Sequence, residues 1–477
     1  MTMTASSIHA RTAHGTPLIL LTMSLGVLIA QVDTSVVNLA LKEIGASVGA
    51  GVTALQWVVD AYNLVYASLL LTAGTLADLY GRRRMFGLGI ALFTLGSLLC
   101  GLAPNTTALI VGRAVAGLGA ALEISTSLAI LTVAYPDTKQ RAQALGVWAS
   151  CNGIAFIIGP TLGGVLVTSA GWRSIFLLII PLCVLALVLT AVAVPESKDP
   201  TGRKLDVRGQ ALAVAALGAL SLAVIEGPRW GWESIGSVAA FAIAAITAVL
   251  FIARQRGAES ALVPLTMFRN PVFSASLVIA GAMTFGMYAM LFLTPLYLQA
   301  SRGDSALLAG IALLPMSVTF VIISQLSGKI ANTYGPRLPM TLGMAMMGFG
   351  LFMLALIPHD DSLLLVEAAL VVIGCGLGLN TAPVNGVAVA NVSAGRSGTA
   401  SGLVNTARMV GATLGVAVLG ALFAVFAGGS PDAAHVVAGL PPAFIVGGIG
   451  EMIGAAAAFT FIRRDSLDPP KAPATRT

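Results

Sequence analysis

Long apolar runs alternate with short polar segments along the whole chain. A membrane-spanning helix needs about 20 mostly apolar residues, and a window of that length predicts fourteen spans in the 477-residue sequence. The predicted spans are 17–40, 54–75, 85–103, 106–133, 144–167, 174–194, 210–227, 234–253, 273–298, 305–327, 338–357, 362–390, 400–426 and 441–462. The pattern therefore predicts an all-α integral membrane protein.

The composition excludes a soluble protein of this size. Charged residues make up 10% and hydrophobic residues 57% of the chain, whereas soluble domains carry about 25% charged residues. The net charge of +6 does not indicate a nucleic-acid partner, because the basic residues lie in short segments between apolar runs. Residues 1–16 lead into a full-length first span without a small-residue cleavage site. We therefore expect that span to be retained rather than removed as a signal peptide.

The distribution of Lys and Arg predicts the orientation. Of the 26 Lys and Arg residues, twenty lie on the side that holds both termini, and Arg113 and Arg408 fall within spans. The opposite side holds Lys42, Arg173, Arg229 and Arg302. Because cytoplasmic loops are enriched in Lys and Arg, we expect both termini to be cytoplasmic.

Acidic residues inside predicted spans are the first candidates for function. Asp33 interrupts the apolar stretch LIAQVDTSVVNLAL (28–41), where a carboxylate costs about 3 kcal/mol or more. Counted along the helices, Asp33, Asp60 and Arg113 lie at a common depth, about 9–11 Å below the outer edge. We therefore expect a proton-coupling cluster of these three residues, with Glu123 as a deeper candidate proton site. The alternative is a fixed ion pair that only joins helices.

An internal repeat divides the chain into two halves. The segments GTLADLYGRR (74–83) and GKIANTYGPR (328–337) match at an offset of 254 residues, and each follows a span on the same side. Parallel repeats of this kind place a substrate site between the halves at mid-depth. The resulting division is a tail (1–16), a six-helix bundle (17–194), a linker (195–209), two inserted helices (210–253), a second linker (254–272), a second six-helix bundle (273–462) and a tail (463–477).

Several motifs resemble those of the major facilitator superfamily, and more narrowly its fourteen-span drug:proton antiporters. They are QVDTSVVNLAL (31–41), GTLADLYGRRR (74–84), LIVGRAVAGLGAAL (109–122), AFIIGPTLGG (155–164), GWRSIF (171–176) and EGPRWGW (226–232). The fifth-span motif departs from the family pattern at Ala155, where a glycine is usual. The resemblance covers nearly the whole chain, and it implies two six-helix bundles with two added helices.

The resemblance also implies two conformational elements. The loop after span two would act as a gate, in which Asp78 meets a helix start of the other half and locks one conformation; its residues are Gly74, Asp78, Gly81, Arg82 and Arg83. The fifth-span motif would seal the cavity against leak, through Gly159, Pro160, Gly163 and Gly164. Physically, Pro160 kinks the helix, and the glycines permit close helix approach.

Methionine and aromatic residues are candidates for a substrate-cavity wall, because such side chains adapt to varied apolar ligands. The candidates are Tyr62, Phe156, Met283, Met287 and Tyr288. Spans nine, ten, eleven and thirteen have no Asp or Glu in their interiors. This favours neutral compounds or monovalent lipophilic cations as substrates. Arg408 in span thirteen is expected to have an acidic partner, which the sequence does not identify.

We therefore expect a proton-driven transporter of the bacterial inner membrane that exports amphiphilic compounds by alternating access. The resemblance implies that it works as a monomer. The sequence has no GxxxxGK[ST] loop for ATP, so the proton gradient is the expected energy source, with no cofactor and no metal. An exporter dedicated to one metabolite or antibiotic would show the same motifs. An uptake symporter is less consistent with the fifth-span Gly-Pro motif. A membrane enzyme would need a soluble domain or a reactive cluster, which the sequence does not indicate.

Overall fold

A computed structural model describes residues 5–199, 205–257, 261–357, 362–393, 396–428 and 433–467. These residues form α-helices and one short 3-10 helix, Leu265–Arg269, and contain no β-strand. The helices of the first part are α1 (Ala5–Val48), α2 (Val52–Tyr80), α3 (Arg82–Gly101), α4 (Thr106–Ala134), α5 (Thr138–Ala170), α6 (Arg173–Ala193), α7 (Val207–Trp230) and α8 (Ile235–Gly257). The others are α9 (Pro271–Ala300), α10 (Ala306–Ala312), α11 (Leu314–Tyr334), α12 (Arg337–Leu354), α13 (Leu363–Ala390), α14 (Ser397–Phe426) and α15 (Ala433–Phe461).

The described residues contain fourteen helical segments that are long and apolar enough to cross a membrane, which confirms the predicted fold class. The tenth span is the continuous segment of α10 and α11, with Pro315 in the first turn of α11. Polar caps start several helices: the side chain of Asn105 accepts from the N–H of Ala108, and that of Asp137 accepts from Gln140. Such caps satisfy backbone donors that a helix start leaves open.

The helix bounds differ from the prediction mainly at three ends. Helix α1 begins at Ala5, within the predicted N-terminal tail, rather than at 17. Helix α1 continues to Val48 instead of ending at 40, because Lys42 and Glu43 lie within the helix rather than after it. Helix α15 begins at Ala433 rather than at 441. Part of the first predicted linker, 200–204, and part of the C-terminal tail, 468–477, lie outside the described residues.

The two bundles repeat one packing pattern. In the first, α1 packs on α5 and α6, while α4 packs on α2 and α3. In the second, α9 packs on α14 and α15, while α13 packs on α11 and α12. The turn glycines of the repeated loops also agree, since Gly81 has φ +110° and Gly335 has φ +81°. These values lie in the region that glycine tolerates best.

The inserted helices α7 and α8 pack on each other, and α7 also contacts both α2 and α14. Its attachment to α2 uses polar groups at two levels. Gln210 donates to the carbonyl of Ser68, and Trp57 donates to Glu226 over 2.9 Å. Helix α7 therefore covers the seam where the first half meets the second.

At the base of this pair, Asp206 joins α7 to α8. Its carboxylate accepts hydrogen bonds from the Gly209 N–H, from Arg254 and from Gln255, at 3.0, 3.2 and 2.9 Å. Burial by itself raises the pKa of Asp206, but these hydrogen bonds and the charge of Arg254 outweigh it and hold the pKa below its usual value.

The halves meet at the end of the molecule opposite the termini, which we call the far side. There, Lys42 donates to the carbonyl of Gln299 over 2.6 Å, and Gln299 donates to the carbonyl of Leu39 over 2.9 Å. A second far-side bond joins the halves along another seam, from Gln56 to the carbonyl of Val416.

The halves separate at the end that holds the termini, which we call the termini side. The glycines nearest this end of the four bordering helices have open space where a Cβ would be; they are Gly74 of α2, Gly146 of α5, Gly328 of α11 and Gly398 of α14. Deeper along the same seam, an added Cβ at Gly402 of α14 would lie 3.2 Å from Leu71 of α2. The structure is therefore closed on the far side, and the halves part at the helix ends on the termini side.

Candidate functional site

Asp33 and Arg113 form an ion pair inside the first bundle. Their closest atoms, Asp33 Oδ2 and Arg113 Nη1, are 2.5 Å apart, and the side chains are 1% and 2% exposed. Arg113 also donates through Nε to the carbonyl of Val58 over 3.0 Å. Asp33 lies fifteen residues before the end of α1, compared with the seven counted from the sequence, and the expected pairing with Arg113 at a common level is present.

Tyr62 supports this pair and does not line a cavity. Its ring lies under the guanidinium of Arg113, 4.4 Å from ring centroid to Cζ, and the residue is 1% exposed. A cation over an aromatic face is stabilised by the ring's electron density. Tyr62 also meets Tyr66 edge to face, with ring centroids 6.0 Å apart. The structure thus corrects its expected place in a substrate-cavity wall.

Asp60 lies apart from the pair, contrary to the expected three-residue cluster. Successive helical residues are rotated by about 100°, so Asp60 points roughly opposite to Tyr62 on α2. It faces α7, with Ser221 beside it. Asp60 is fully buried, and neither of its carboxylate oxygens makes a well-formed hydrogen bond with any described residue. The sequence calculation considered depth along the helix and neglected direction around it.

Glu123 is the second buried carboxylate of the first bundle. It is fully buried, and its two oxygens have no hydrogen-bond partner within the described part of the chain. A Cβ added to Gly26 of α1 would lie 3.7 Å from Glu123 Oε1. Glu123 is within electrostatic range of Asp33 and of Tyr66. The arrangement places one paired and one unpaired carboxylate in a single low-dielectric region.

The predicted gate loop packs on its own bundle in this structure, and not against the second half as expected. Asp78 accepts from Arg82 over 2.8 Å, and Arg82 donates its backbone N–H to the carbonyl of Ser197. Glu196 accepts from the backbone N–H of Arg83, whose side chain reaches the carbonyl of Ala191. The physical reason is the separation of the halves on the termini side, which leaves the segment after α6 as the nearest surface.

Gly81 lies against the same segment, since a Cβ there would be 2.7 Å from Glu196 Oε1. Gly74 borders open space. The sequence-predicted gate residues are therefore brought together, but on one half alone. Their role in locking a conformation stays a prediction.

The fifth-span motif lies at two helix contacts. Added Cβ atoms at Gly159 and Gly163 would meet Ser35 and Val36 of α1, within the first half. One at Gly164 would lie 2.7 Å from the Cα of Leu307, in the second half. The carbonyl of Pro160 faces Gly310 of α10 so closely that no Cβ fits there. This motif forms part of the far-side contact between the halves.

The other predicted cavity residues occupy three different settings. Phe156 lies in the contact of α5 with α11, with its ring 5.5 Å from that of Phe320 and its carbonyl accepting from Ser317. Met283 and Met287 are buried on α9, roughly opposite Phe285, which packs on α14. Tyr288, also buried, lies within electrostatic range of both Tyr66 and Arg408. Only Tyr288 is placed with polar groups from both halves.

Two residues outside the predicted site have unusual surroundings. Glu451 of α15 is fully buried against Gly286 of α9, and its oxygens lack a well-formed hydrogen bond to the described residues. Arg408 of α14 has no carboxylate within ion-pair distance among the described residues, which corrects the expected acidic partner. In the sequence, both residues could be recognised only as charged residues within apolar runs.

Comparisons with known proteins agree with this architecture. Residues 23–416 match the family model described as Major Facilitator Superfamily. Multidrug resistance protein Stp of Mycobacterium tuberculosis is 40% identical, over 86% of this chain and 76% of its own length. Methylenomycin A resistance protein of Bacillus subtilis is 34% identical, over 88% and 90%. The crystal structure of a D-xylose-proton symporter matches with a TM-score of 0.68 and 15% identity, over 95% of this chain and 99% of that chain; this likeness concerns the fold alone.

Proposed function

The chain belongs to the major facilitator superfamily, and on that premise we propose that it exports amphiphilic drugs or similar toxic compounds in exchange for protons. The observation that carries the proposal is the buried pair of Asp33 and Arg113, with Glu123 unpaired nearby. Ionisable groups inside a membrane mark ion or proton pathways when they are buried together. Relatives named as multidrug resistance and drug efflux proteins support drugs as the cargo.

The distribution of basic residues supports a cytoplasmic termini side. In that orientation the halves part at the cytoplasmic helix ends, and the structure is closed to the outside. A substrate enters between the halves from the cytoplasm, and the far-side contacts around Gly164 and Gln299 then exchange for contacts on the termini side. The gate loop around Asp78, unattached to the second half here, is available to form those contacts.

Proton coupling follows from the electrostatics of the first bundle. An ionised Asp33 neutralises Arg113, so the pair carries no net charge in the membrane. When the far side opens, a proton that binds Asp33 leaves Arg113 as the positive group, held by the Val58 carbonyl and the Tyr62 ring. Glu123 lies ten residues further along α4, toward the termini side, and offers a site through which the proton reaches the cytoplasm.

Each cycle thus moves one substrate outward and at least one proton inward. The proton gradient supplies the energy, and the proposal requires no ATP, cofactor or metal. It also treats the protein as a transporter rather than an enzyme, working as a monomer with its multi-pass chain in the bacterial cytoplasmic membrane. The proton site lies within one half, so a single copy contains all the groups that the mechanism uses.

A second candidate is export of one specific antibiotic or metabolite. The observation that favours it is the Bacillus subtilis relative, which is named for resistance to a single antibiotic, methylenomycin A, and aligns over 90% of its length. The same proton site would drive either process. The two candidates differ in the range of compounds that trigger proton movement.

The test uses inside-out vesicles with an acidified interior and a pH-sensitive dye. A panel of amphiphilic anions, cations and neutral antibiotics is added to the outer face, which corresponds to the cytoplasm. We expect several compounds to release protons from vesicles with the wild-type protein, and none to do so with Asp33→Asn. Release by one compound alone would favour the dedicated exporter.

Asp60→Asn is the matched control, because Asp60 is also a buried aspartate but faces α7. It is expected to keep substrate-triggered proton release. If Asp33→Asn responds like the wild type, Asp33 is structural and the proposed coupling site is wrong. If the wild type releases no protons with any compound, drug:proton antiport is rejected.

A further inference from the structure

Arg408 lies midway along α14 with most of its hydrogen-bonding capacity unused. Of its five N–H donors, one makes a long bond of 3.4 Å, from Nη2 to the carbonyl of Thr381. Its Nε is shielded from solvent and has no acceptor among the described residues. The residue nevertheless keeps some exposed surface. A guanidinium remains charged, so this site holds an uncompensated positive charge.

The guanidinium faces the interior of the transporter. It reaches Thr381 of α13 and lies within electrostatic range of Tyr288 of α9. Tyr288 is in turn within range of Tyr66 of α2, in the first half. These four helices border the space between the halves, so Arg408 is directed away from lipid.

The position of Arg408 is fixed by its own backbone. Its carbonyl accepts from Thr284 of α9 over 2.5 Å. Three residues further along α14, Gly411 fits against the carbonyl of Gly281 so closely that a Cβ would overlap it. Helix α14 is therefore held on α9 at this level, and the guanidinium is presented from a rigid support.

None of the buried carboxylates in the described residues forms an ion pair with Arg408. Asp60 of α2 is fully buried and unpaired within the described part of the chain, but it faces α7. Asp206 pairs with Arg254, and Glu226 pairs with Arg229. Asp33 is engaged by Arg113. Glu123 lies behind Tyr66 in the first bundle, near Gly26. Glu451 is on the opposite side of α9, where it packs against Gly286. The charge of Arg408 is therefore not engaged by an ion pair within the described residues, and a cation in that state favours a ligand of opposite sign.

We propose that Arg408 is the anchor for an anionic group of the substrate, and that the preferred substrates are amphiphiles with a carboxylate. This inference rests on the proposed export function and narrows it, replacing the cations and neutral compounds that the sequence favoured. A carboxylate fits the planar guanidinium through two parallel hydrogen bonds. Tyr288 lies within electrostatic range of the guanidinium, so its hydroxyl dipole adds to the polar surroundings of the bound group.

The test measures binding directly, so that it does not depend on proton coupling. The probes are three compounds on one scaffold: 1-naphthylacetate, its methyl ester, and the naphthylmethyl trimethylammonium cation. Equilibrium dialysis against the purified full-length protein gives their dissociation constants. We expect the carboxylate to bind at least about tenfold more tightly than the other two, as a charge-assisted bidentate contact would give.

The variants separate charge from fold. Arg408→Gln is expected to abolish the preference for the carboxylate, and Arg408→Lys to retain part of it, because lysine keeps the charge but not the fork. Arg396→Gln is the matched control: Arg396 is an exposed residue at the start of α14 that donates to Thr266, and its removal should leave all three constants unchanged. Elution profiles and melting temperatures of each variant report on folding.

Equal binding of the three probes, or an unchanged carboxylate preference in Arg408→Gln, overturns the inference. Proton release from vesicles is measured with the same probes. If the carboxylate binds in an Arg408-dependent way but releases no protons, Arg408 remains the substrate anchor and proton antiport is rejected. If the ester, the cation and the carboxylate trigger proton release equally, proton antiport is retained and the role of Arg408 as a carboxylate anchor is rejected.

Discussion

Each half of the molecule has one arginine inside a membrane span, and the two arginines differ in how many of their hydrogen-bond donors have partners. Arg113 of the first half has an ion pair with Asp33, a hydrogen bond to Val58 and an aromatic ring beneath it. Arg408 of the second half has one long hydrogen bond to Thr381. The bundles around them repeat the same helix packing, so the difference lies in the side chains.

We interpret this difference between Arg113 and Arg408 as a division of function between the two halves. A satisfied cation in the first half belongs to a closed electrostatic system, which a proton can perturb by binding its acid. The cation in the second half has unused donors, which a ligand from outside the chain would satisfy, since a buried donor without an acceptor costs free energy. The two proposals made above therefore place proton exchange in the first half and substrate recognition in the second.

The largest expected effect comes from removing each arginine in turn. Arg113→Leu leaves the Asp33 carboxylate buried without its partner, and breaking a buried pair in this way costs about 3–5 kcal/mol. Arg408→Leu removes a cation that already lacks a partner, so stability should stay the same or rise. Thermal unfolding of the two purified variants in the same detergent checks this contrast.

The double variant Asp33→Leu with Arg113→Leu is the control for the first half. It removes both charges and should recover most of the stability lost in Arg113→Leu, because no unpaired charge remains. If Arg113→Leu and Arg408→Leu destabilise the protein equally, the two arginines do not differ in how well their charges are satisfied, and the contrast between the halves is wrong.

A somewhat smaller effect is expected where the halves touch. Gly164→Ala places a Cβ 2.7 Å from the Cα of Leu307 and 2.8 Å from the carbonyl oxygen of Ala306. Overpacking against backbone costs about 1–3 kcal/mol, and this cost falls on the far-side-closed state alone. Spin-label distances between far-side positions 105 and 304 should lengthen in a cysteine-substituted background.

Gly146→Ala on the same helix is its matched control, because no atom lies within 4 Å of the added Cβ. Gly146→Ala should give the same distribution of spin-label distances as the protein without the alanine substitution. If both alanines shift the distribution alike, the far-side contact is not what closes the molecule.

The third prediction compares the unpaired carboxylates of the two halves. Glu123→Gln should slow substrate-triggered proton release by about tenfold or more, because it removes a proton site within the electrostatic range of Asp33. Glu451→Gln, in the second half and packed against Gly286, should leave proton release unchanged. Neither should alter the melting temperature greatly, since neither carboxylate has a well-formed hydrogen bond to lose within the described structure.

Stopped-flow measurement of proton release from the acidified vesicles gives both rates. Slower release in Glu451→Gln than in Glu123→Gln would reverse the assignment of tasks. Equal slowing would place proton sites in both halves.

The sequence predicted the fold well because its signals are local. A span needs only a long apolar run, and the repeat is visible in the glycines of two similar loops, Gly81 and Gly335, which both adopt positive φ. The first span was predicted as 17–40, whereas α1 is Ala5–Val48. Its end was placed too early because Lys42 looked like a residue beyond the span, but its amine is satisfied by the carbonyl of Gln299 across the interface. That contact is invisible along the chain.

The site was predictable in part. The pairing of Asp33 with Arg113 followed from the cost of burying either charge alone. The direction of Asp60 toward α7 did not, since it depends on where the inserted helices pack. Tyr62 was assigned to the cavity for its aromatic character, yet its ring lies beneath Arg113. The unpaired state of Arg408 required knowing every neighbour within reach, which only three-dimensional packing supplies.

The smallest expected effect concerns the inserted helices α7 and α8. These helices belong to neither half, so the comparison between the halves does not cover them. Hydrogen bonds from Gly209, Gln255 and Arg254 hold the pKa of Asp206 below its ordinary value, against the opposing effect of burial. An acid with a depressed pKa contributes stability that is present above its unfolded-state pKa of about 3.9 and is lost as pH falls through the lower folded value. Wild-type melting should therefore decline below about pH 4 more steeply than that of Asp206→Asn.

At pH 7 the Asp206→Asn variant should melt lower, by an amount equivalent to about 1 kcal/mol, since Arg254 is 40% exposed and water screens its charge. Asp465→Asn, another aspartate outside the spans, serves as the matched control, and its melting should follow the wild type at every pH. If Asp206→Asn loses transport while its melting is unchanged, the inserted helices take part in the cycle itself. The division of tasks between two halves would then have to include α7, which contacts both α2 and α14 and is positioned to couple their movements.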